Sequence, residues 1–159
     1  MKQILVMMMA VVMGQSVLAA DKKPLIADPI VEKAIRKPLG KPEGELTKAD
    51  LDKVRRLSLF NTKITDEGLK EVAKLKQLTY LNLSTTKITD AGLKEVVKLK
   101  KLNDLTLAYN KITGAGLKEL AKMNQLRHLW LDGTKVTKAG VAELQKALPK
   151  CYFRSDFDE

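Results

Sequence analysis

Few side chains in this sequence are equipped for catalysis. There is one histidine, His128, and one cysteine, Cys151. Asp132 follows His128 by four residues, Asp104 precedes it by 24, and Ser58 and Ser84 supply hydroxyls. A serine, a histidine and a carboxylate are the ingredients of an acyl-transfer triad, but geometry defines the triad. The nucleophile must be presented on a strained turn, facing donors that hold an oxyanion. No stretch of the sequence offers either. A zinc site needs three or four converging ligands, and one histidine and one distant cysteine do not provide them. Thr113-Gly-Ala-Gly116 is glycine-rich, yet no Gly-Lys-Ser/Thr follows to cradle a phosphate. The residues read as those of a non-enzyme that needs neither metal nor cofactor.

Recognition is the chemistry that remains. Aromatic side chains supply large, rigid contact area and are enriched at binding hot spots. Four of the seven here, Phe60, Tyr80, Tyr109 and Trp130, fall near four Leu-x-Leu pairs, whereas residues 66–77, 90–101 and 114–125 contain none. A repeat explains that placement. Shifted so that Leu57 falls on Leu81, the chain returns on itself. Leu57, Leu81, Leu105 and Leu129 share a column, as do Leu59, Leu83, Leu107 and Leu131. Ile64, Ile88, Ile112 and Val136 form another, and Gly68, Gly92, Gly116 and Gly140 a fourth. A fixed period in the twenties marks a stacked array of supersecondary units.

Each unit decomposes in the same way. Leu-x-Leu alternates apolar and polar, the period of a strand with one buried face. Thr62, Thr86, Asn110 and Thr134 occupy a turn, and Thr65, Thr89, Thr113 and Thr137 stand where helix N-caps belong. Asp66 and Asp90 follow in the first helical turn, where negative charge is favoured. A glycine at four equivalent positions predicts close approach of the helix to its neighbours. Leu69, Val72 and Leu75 face inwards, and the next strand begins. One such unit cannot bury its apolar face alone, so the units must stack.

The ends differ from the middle. Met1-Lys2-Gln3, the apolar run Ile4–Met13 and the small residues Ala19 and Ala20 have the three-part layout of a secretory signal peptide. Ten apolar residues are about half of the ~20 needed to cross a bilayer. No cysteine lies near the cut to carry a lipid, so residues 1–20 predict release to the periplasm or outside the cell, with no membrane association required. The rest keeps 28 basic against 19 acidic residues, a charge of +9. Its lysines recur once per repeat beside Glu71, Glu95, Glu119 and Glu143, which reads as a solvated face and not as a nucleic-acid footprint. Residues 21–45 hold a capping helix and linker: Asp28 as N-cap, Pro29 at the first position, Ile30, Val31, Ala34 and Ile35 on one face, and an end at Lys37-Pro38. Residues 46–154 carry a half-repeat opened by a capping box at Thr47 and Asp50, about four full repeats, and a closing strand with Cys151 and Phe153 inward. Cys151, lacking a partner, reads as a buried thiol. Residues 155–159 read as a free acidic tail.

The run Leu-x-x-Leu-x-Leu-x-x-Thr/Asn-x-Ile-Thr-Asp-x-Gly-Leu resembles the leucine-rich repeat. Its second half is similar to the cysteine-containing and ribonuclease-inhibitor-like subclasses, and to secreted bacterial proteins with Thr-x-Ile-Thr-Asp-x-Gly-Leu repeats. The resemblance implies an α/β fold: a right-handed solenoid forming a short arc, with parallel strands on the concave face, helices on the convex face, and ligands taken on the inner side. The alternate strand positions not used by the core point to that side. They include Ser58, Ser84 and Ala108, and the candidate ligand-binding set Arg56, Phe60, Tyr80, Asn82, Asp104, Tyr109, His128, Trp130 and Asp132. The leading expectation is a module that recognises a protein or peptide there. The alternatives are a binder of anionic envelope polymer or polysaccharide through the lysine columns, and a structural spacer without a ligand.

Overall fold

Leucines that alternate with polar residues and return once per repeat can all be buried only if successive strands lie side by side in register. The computed structural model, which describes residues 23–157, has that arrangement. The expected signal peptide lies outside the described residues, as do 158 and 159. Five three-residue strands, β1 (Arg56–Ser58), β2 (Tyr80–Asn82), β3 (Asp104–Thr106), β4 (His128–Trp130) and β5 (Tyr152–Arg154), form one parallel sheet in sequence order. The register advances by one repeat per strand: Leu57 pairs with Leu81, Leu81 with Leu105, Leu105 with Leu129, and Leu129 with Phe153. Between the strands lie α3 (Asp66–Val72), α4 (Asp90–Val96), α5 (Gly114–Leu120) and α6 (Lys138–Ala147), each packed on the next. The fold is an α/β solenoid of stacked strand–helix units.

The core runs the length of the stack. Both leucines of every Leu-x-Leu pair are buried, as are Ile64, Ile88, Ile112 and Val136. The turn column is held by hydrogen bonds to backbone. Thr62, Thr86 and Thr134 donate their hydroxyls to the carbonyls of Leu59, Leu83 and Leu131. Asn110, the one amide in the column, is buried and spans two repeats: its Nδ2 donates to Leu83 (2.6 Å) and Leu107 (3.1 Å), while its Oδ1 accepts from the Thr86 backbone.

The acidic residues at the helix starts do more than complement a dipole. Asp66 accepts from the backbone N–H (2.9 Å) and the hydroxyl (2.6 Å) of Thr89, one repeat on. Asp90 does the same for Thr113 at 2.8 and 2.6 Å. Thr89 and Thr113 in turn cap their own helices, whereas Thr65 occupies the N-cap position without a side-chain cap bond. These carboxylates account for the glycine column. A Cβ on Gly92 would collide with the Asp66 carboxylate and approach Leu69 to 2.8 Å, and one on Gly116 would meet Asp90 and Leu93 in the same way. The third unit has Gly114 in place of the aspartate, and Thr137 accepts the N–H of Gly140 in its own helix without that bond from the unit before.

At the N-terminal end α1 (Pro29–Leu39) starts as expected, Asp28 accepting from the N–H groups of Ile30 and Val31. It does not stop at Lys37. Pro38 lies inside its last turn and the helix ends at Gly40, whose N–H and that of Lys41 bond back to Lys37 and Arg36. One turn from the end a proline removes only a single hydrogen bond, and Leu39 gains contact with the core in exchange. Val31 and Ile35 are fully buried over the first repeat. Two bonds anchor the segment before the helix: Ala27 donates its N–H to Glu71, and Lys74 donates to the carbonyl of Leu25. The half-repeat helix α2 (Lys48–Lys53) has both bonds of a capping box between Thr47 and Asp50.

At the other end Cys151 and Phe153 are buried, and burial pushes the Cys151 thiol up to about 11. Ser155 and Asp156, expected in a free tail, are held. Ser155 is buried, and the Asp156 carboxylate accepts the N–H of Gly133 at 2.9 and 3.0 Å. One repeat earlier the N–H of Tyr109 is bonded to the backbone carbonyl of Asp132. At the end of the stack a side-chain carboxylate takes the place of that carbonyl.

Candidate functional site

The register places the outward residues of the sheet in rows that cross all five strands. One row reads Arg56, Tyr80, Asp104, His128, Tyr152, and the next Ser58, Asn82, Thr106, Trp130, Arg154. Six of the nine expected site residues, Arg56, Tyr80, Asn82, Asp104, His128 and Trp130, therefore lie together on strands. Trp130 is half-buried on the open face and not sunk in the core. Phe60, Tyr109 and Asp132 lie beyond the strand ends, on the rim where the chain turns towards its helix. Sequence alternation also put Ser84 and Ala108 on the open face, and both are buried. The alternation lapses because the chain leaves the strand at Asn82, whose side chain accepts the Ser84 N–H, and at Thr106 one repeat later. Asn61, Thr85 and Tyr109 then adopt left-handed backbone angles, with φ of 53, 56 and 57°.

Within the rows the side chains are paired. The Arg56 guanidinium lies 4.1 Å from the centroid of the Tyr80 ring, a cation–π contact. His128 Nδ1 is 2.6 Å from Asp104 Oδ1. The His128 ring stacks on Trp130, with centroids 5.7 Å apart, and meets the edge of Tyr152 at 6.4 Å. Arg154 Nε donates to Asp132 at 3.2 Å. The result is an aromatic patch over β4 and β5, a cation over an aromatic ring at β1 and β2, and small polar Asn82 and Thr106 between. On the rim Tyr109 is 66% exposed, and its ring lies over Gly133, where any Cβ would collide with it.

Tyr152 and Arg154 are the members that sequence reasoning left out. The signal was present: Phe153 stands one full repeat after Leu129, so Tyr152 and Arg154 continue the columns of His128 and Trp130. Neither Ser58 nor Ser84 stands beside the Asp104–His128 pair. Ser58 stands on β1, three strands from His128, or about 14 Å at ~4.8 Å per strand, and Ser84 is buried beyond the end of β2.

Parallel strands and short helices alternating through units of one repeat each, with the side chains of one sheet face turned outward, define a stacked-repeat scaffold. The family models described as "Leucine rich repeat" and "Leucine Rich repeats (2 copies)" match residues 76–136 and 52–95, together more than half of the sequence. The chain belongs to the leucine-rich repeat proteins. No curated protein matches it. Among solved structures it is similar to an internalin from Listeria monocytogenes, at 27% identity and a TM-score of 0.62 over 82% of this chain. It spans only 36% of that internalin. It also resembles the actin-binding site 2 of leiomodin-1 at 17% identity, with a TM-score of 0.57 over 84% of this chain and 83% of the other, a likeness of fold alone.

Proposed function

We propose that this chain is a secreted or periplasmic, non-enzymatic module that takes a protein or peptide on the open face of its sheet. The observation that carries the reading is the row Arg56, Tyr80, Asp104, His128, Tyr152 with Trp130 beside it: aromatic and charged side chains gathered on the outward sheet face, which α1 borders at Arg56 and Tyr80 through Ala34, Lys37 and Pro38. Trp, Tyr and Arg are the residues most enriched at binding hot spots, and solenoids of stacked repeats characteristically bind along such faces. Within the family, we read the chain as similar to the cysteine-containing and ribonuclease-inhibitor-like subclasses, a reading supported by its Ile-Thr-Asp-x-Gly-Leu half-repeat. Five strands at ~4.8 Å spacing give a face only about 19 Å across, against the ~800 Å² per partner of a standard interface. That size suits a peptide or one small lobe of a protein.

Selection of displayed random peptides against the folded chain tests the proposal. Peptides so enriched should lose at least tenfold in affinity for a Tyr80→Ala, Trp130→Ala double variant whose thermal midpoint stays within a few degrees. Unchanged capture by that variant would sink it. Secretion is tested separately, by fractionating cells that express the full sequence and locating the processed chain.

A further inference from the structure

The lysine columns of this protein differ in their pairing, and only the structure tells them apart. Along the helices Lys74, Lys98, Lys122 and Lys146 each form an ion pair, at 2.6–2.8 Å, with the glutamate three residues earlier. A second column, Lys63, Lys87, Lys111 and Lys135, lies on the rim between strand and helix, and all four are exposed. In a third, on the helices, Lys70 pairs with Glu67, while Lys94 and Lys118 are exposed and form no ion pair among the described residues. None of the four rim ammonium groups forms an ion pair or hydrogen bond among the described residues. The backbones of three of these lysines are nonetheless tied to the unit before. The N–H of Lys87 bonds to the carbonyl of Ile64, that of Lys135 to Ile112, and Lys111 bridges to Thr89. Two residues before each lysine stands an exposed rim residue: Asn61, Thr85, Tyr109 and Gly133.

We infer that this rim is a binding site for a linear polyanionic polysaccharide, laid across the repeats with one carboxylated sugar per lysine. The site is separate from the sheet face and independent of the function proposed for it. Unpaired charge held at fixed spacing attracts counter-charge without first breaking an ion pair, which the helix column would have to do. The spacing selects the polymer. Charges recurring once per repeat, about 4.8 Å apart, match the length of one pyranose residue. Acidic side chains on one face of an extended peptide recur every ~6.7 Å, and a nucleic-acid duplex carries its phosphates on two strands, each with one per ~3.4 Å of helix axis. The neighbouring column adds what a sugar needs besides charge: the amide of Asn61 and the hydroxyl of Thr85 for hydroxyl groups, and the exposed ring of Tyr109 for a ring face.

The test uses the full chain, polygalacturonate as the probe, and dextran and a thymidine oligonucleotide as comparison polymers. Two variants of equal net charge are compared: Lys63→Gln, Lys87→Gln, Lys111→Gln, Lys135→Gln, and Lys74→Gln, Lys98→Gln, Lys122→Gln, Lys146→Gln. Wild-type affinity for polygalacturonate should fall with salt with a log–log slope near −3, from about 0.7 counterions released per neutralised charge, and dextran should not bind. The rim variant should lose at least tenfold and most of the slope, and the helix-column variant less than threefold. Circular dichroism must show both variants folded. Should the rim variant not fold, single Lys87→Gln and Lys111→Gln variants should each lower the slope by about 0.7. Equal loss in the two quadruple variants, no binding by the wild type, or tighter capture of the oligonucleotide than of polygalacturonate would each overturn the inference. A Tyr80→Ala, Trp130→Ala chain should bind polygalacturonate as the wild type does, which separates this site from the sheet face.

Discussion

A single carboxylate per unit couples one repeat to the next, and the sequence itself contains the comparison. Asp66 and Asp90 reach forward to Thr89 and Thr113, and the matching residue of the third unit is Gly114, so Thr137 caps its own helix without a carboxylate from the unit before. A Cβ on Gly114 would meet nothing within 4 Å, so an aspartate can be accommodated there. Gly114→Asp should raise stability by about 1 kcal/mol, by restricting the unfolded chain and adding charge-assisted bonds to Thr137. Gly92→Ala should lower it by about 1–3 kcal/mol, because the new methyl group displaces the Asp66 carboxylate. Urea denaturation of both variants checks the pair, and opposite signs are expected. The aspartate was legible in the sequence only as a first-turn charge. Its true partner stands at the start of the next helix, and a contact between units cannot be read from a pattern within one unit. The glycine column was legible as close approach, though not what it approaches.

Of the elements, the strands and helices follow from spacing alone, since alternation fixes Leu-x-Leu and the Thr-x-x-Gly run fixes the start of each repeat helix. The ends were read less well. Pro38 was expected to stop α1 and instead sits in its last turn, because packing of Leu39 offsets a local preference. The N-terminal cap also rests on two acids whose charge the sequence could not assign to it. Glu71 is partly buried, which raises its pKa, but the ammonium of Lys74 and the N–H of Ala27 outweigh burial and leave it below its ordinary 4.5. The Lys41 ammonium and the Thr47 cap hold the Asp50 carboxyl well below its ordinary 3.8. Carboxyls depressed in the folded state stabilise it above their unfolded pKa and lose that contribution as pH falls towards their folded values. The thermal midpoint should therefore be level from pH 7 to 5 and fall from about pH 4.5 downwards. Glu71→Gln should cost about 1–2 kcal/mol at pH 6, the scale of hydrogen bonds to a charged group, and should flatten the acid limb. A midpoint as steep in the variant as in the wild type would show that the cap is not the acid-sensitive element.

On the scale of the whole molecule, each unit touches only its neighbours, so stability is shared through the interfaces between repeats. The sheet face exists only because the stack is continuous. Its rows take one residue from each strand, and the Asp104–His128 and His128–Tyr152 contacts each join adjacent repeats. That much the repeat period revealed. It did not reveal the fifth strand's share of the face, because the last unit departs from the leucine pattern at Phe153. The single tryptophan, Trp130 on β4, reports on the C-terminal half of the stack, whereas far-ultraviolet circular dichroism reports on all of it. If the interfaces are strong, both signals in the wild type trace one denaturant transition. Leu57→Ala opens a cavity under β1, at a fully buried position, and should cost about 2–5 kcal/mol. Placed in the first full repeat, that loss falls on one end of a linear array. The dichroism transition should then move to lower denaturant and broaden, while the Trp130 transition moves by less than half as much. Transitions that stay coincident in the variant would mean that the five strands open as one unit, and that a partner bound at the aromatic end stabilises the N-terminal cap as strongly as it stabilises β4.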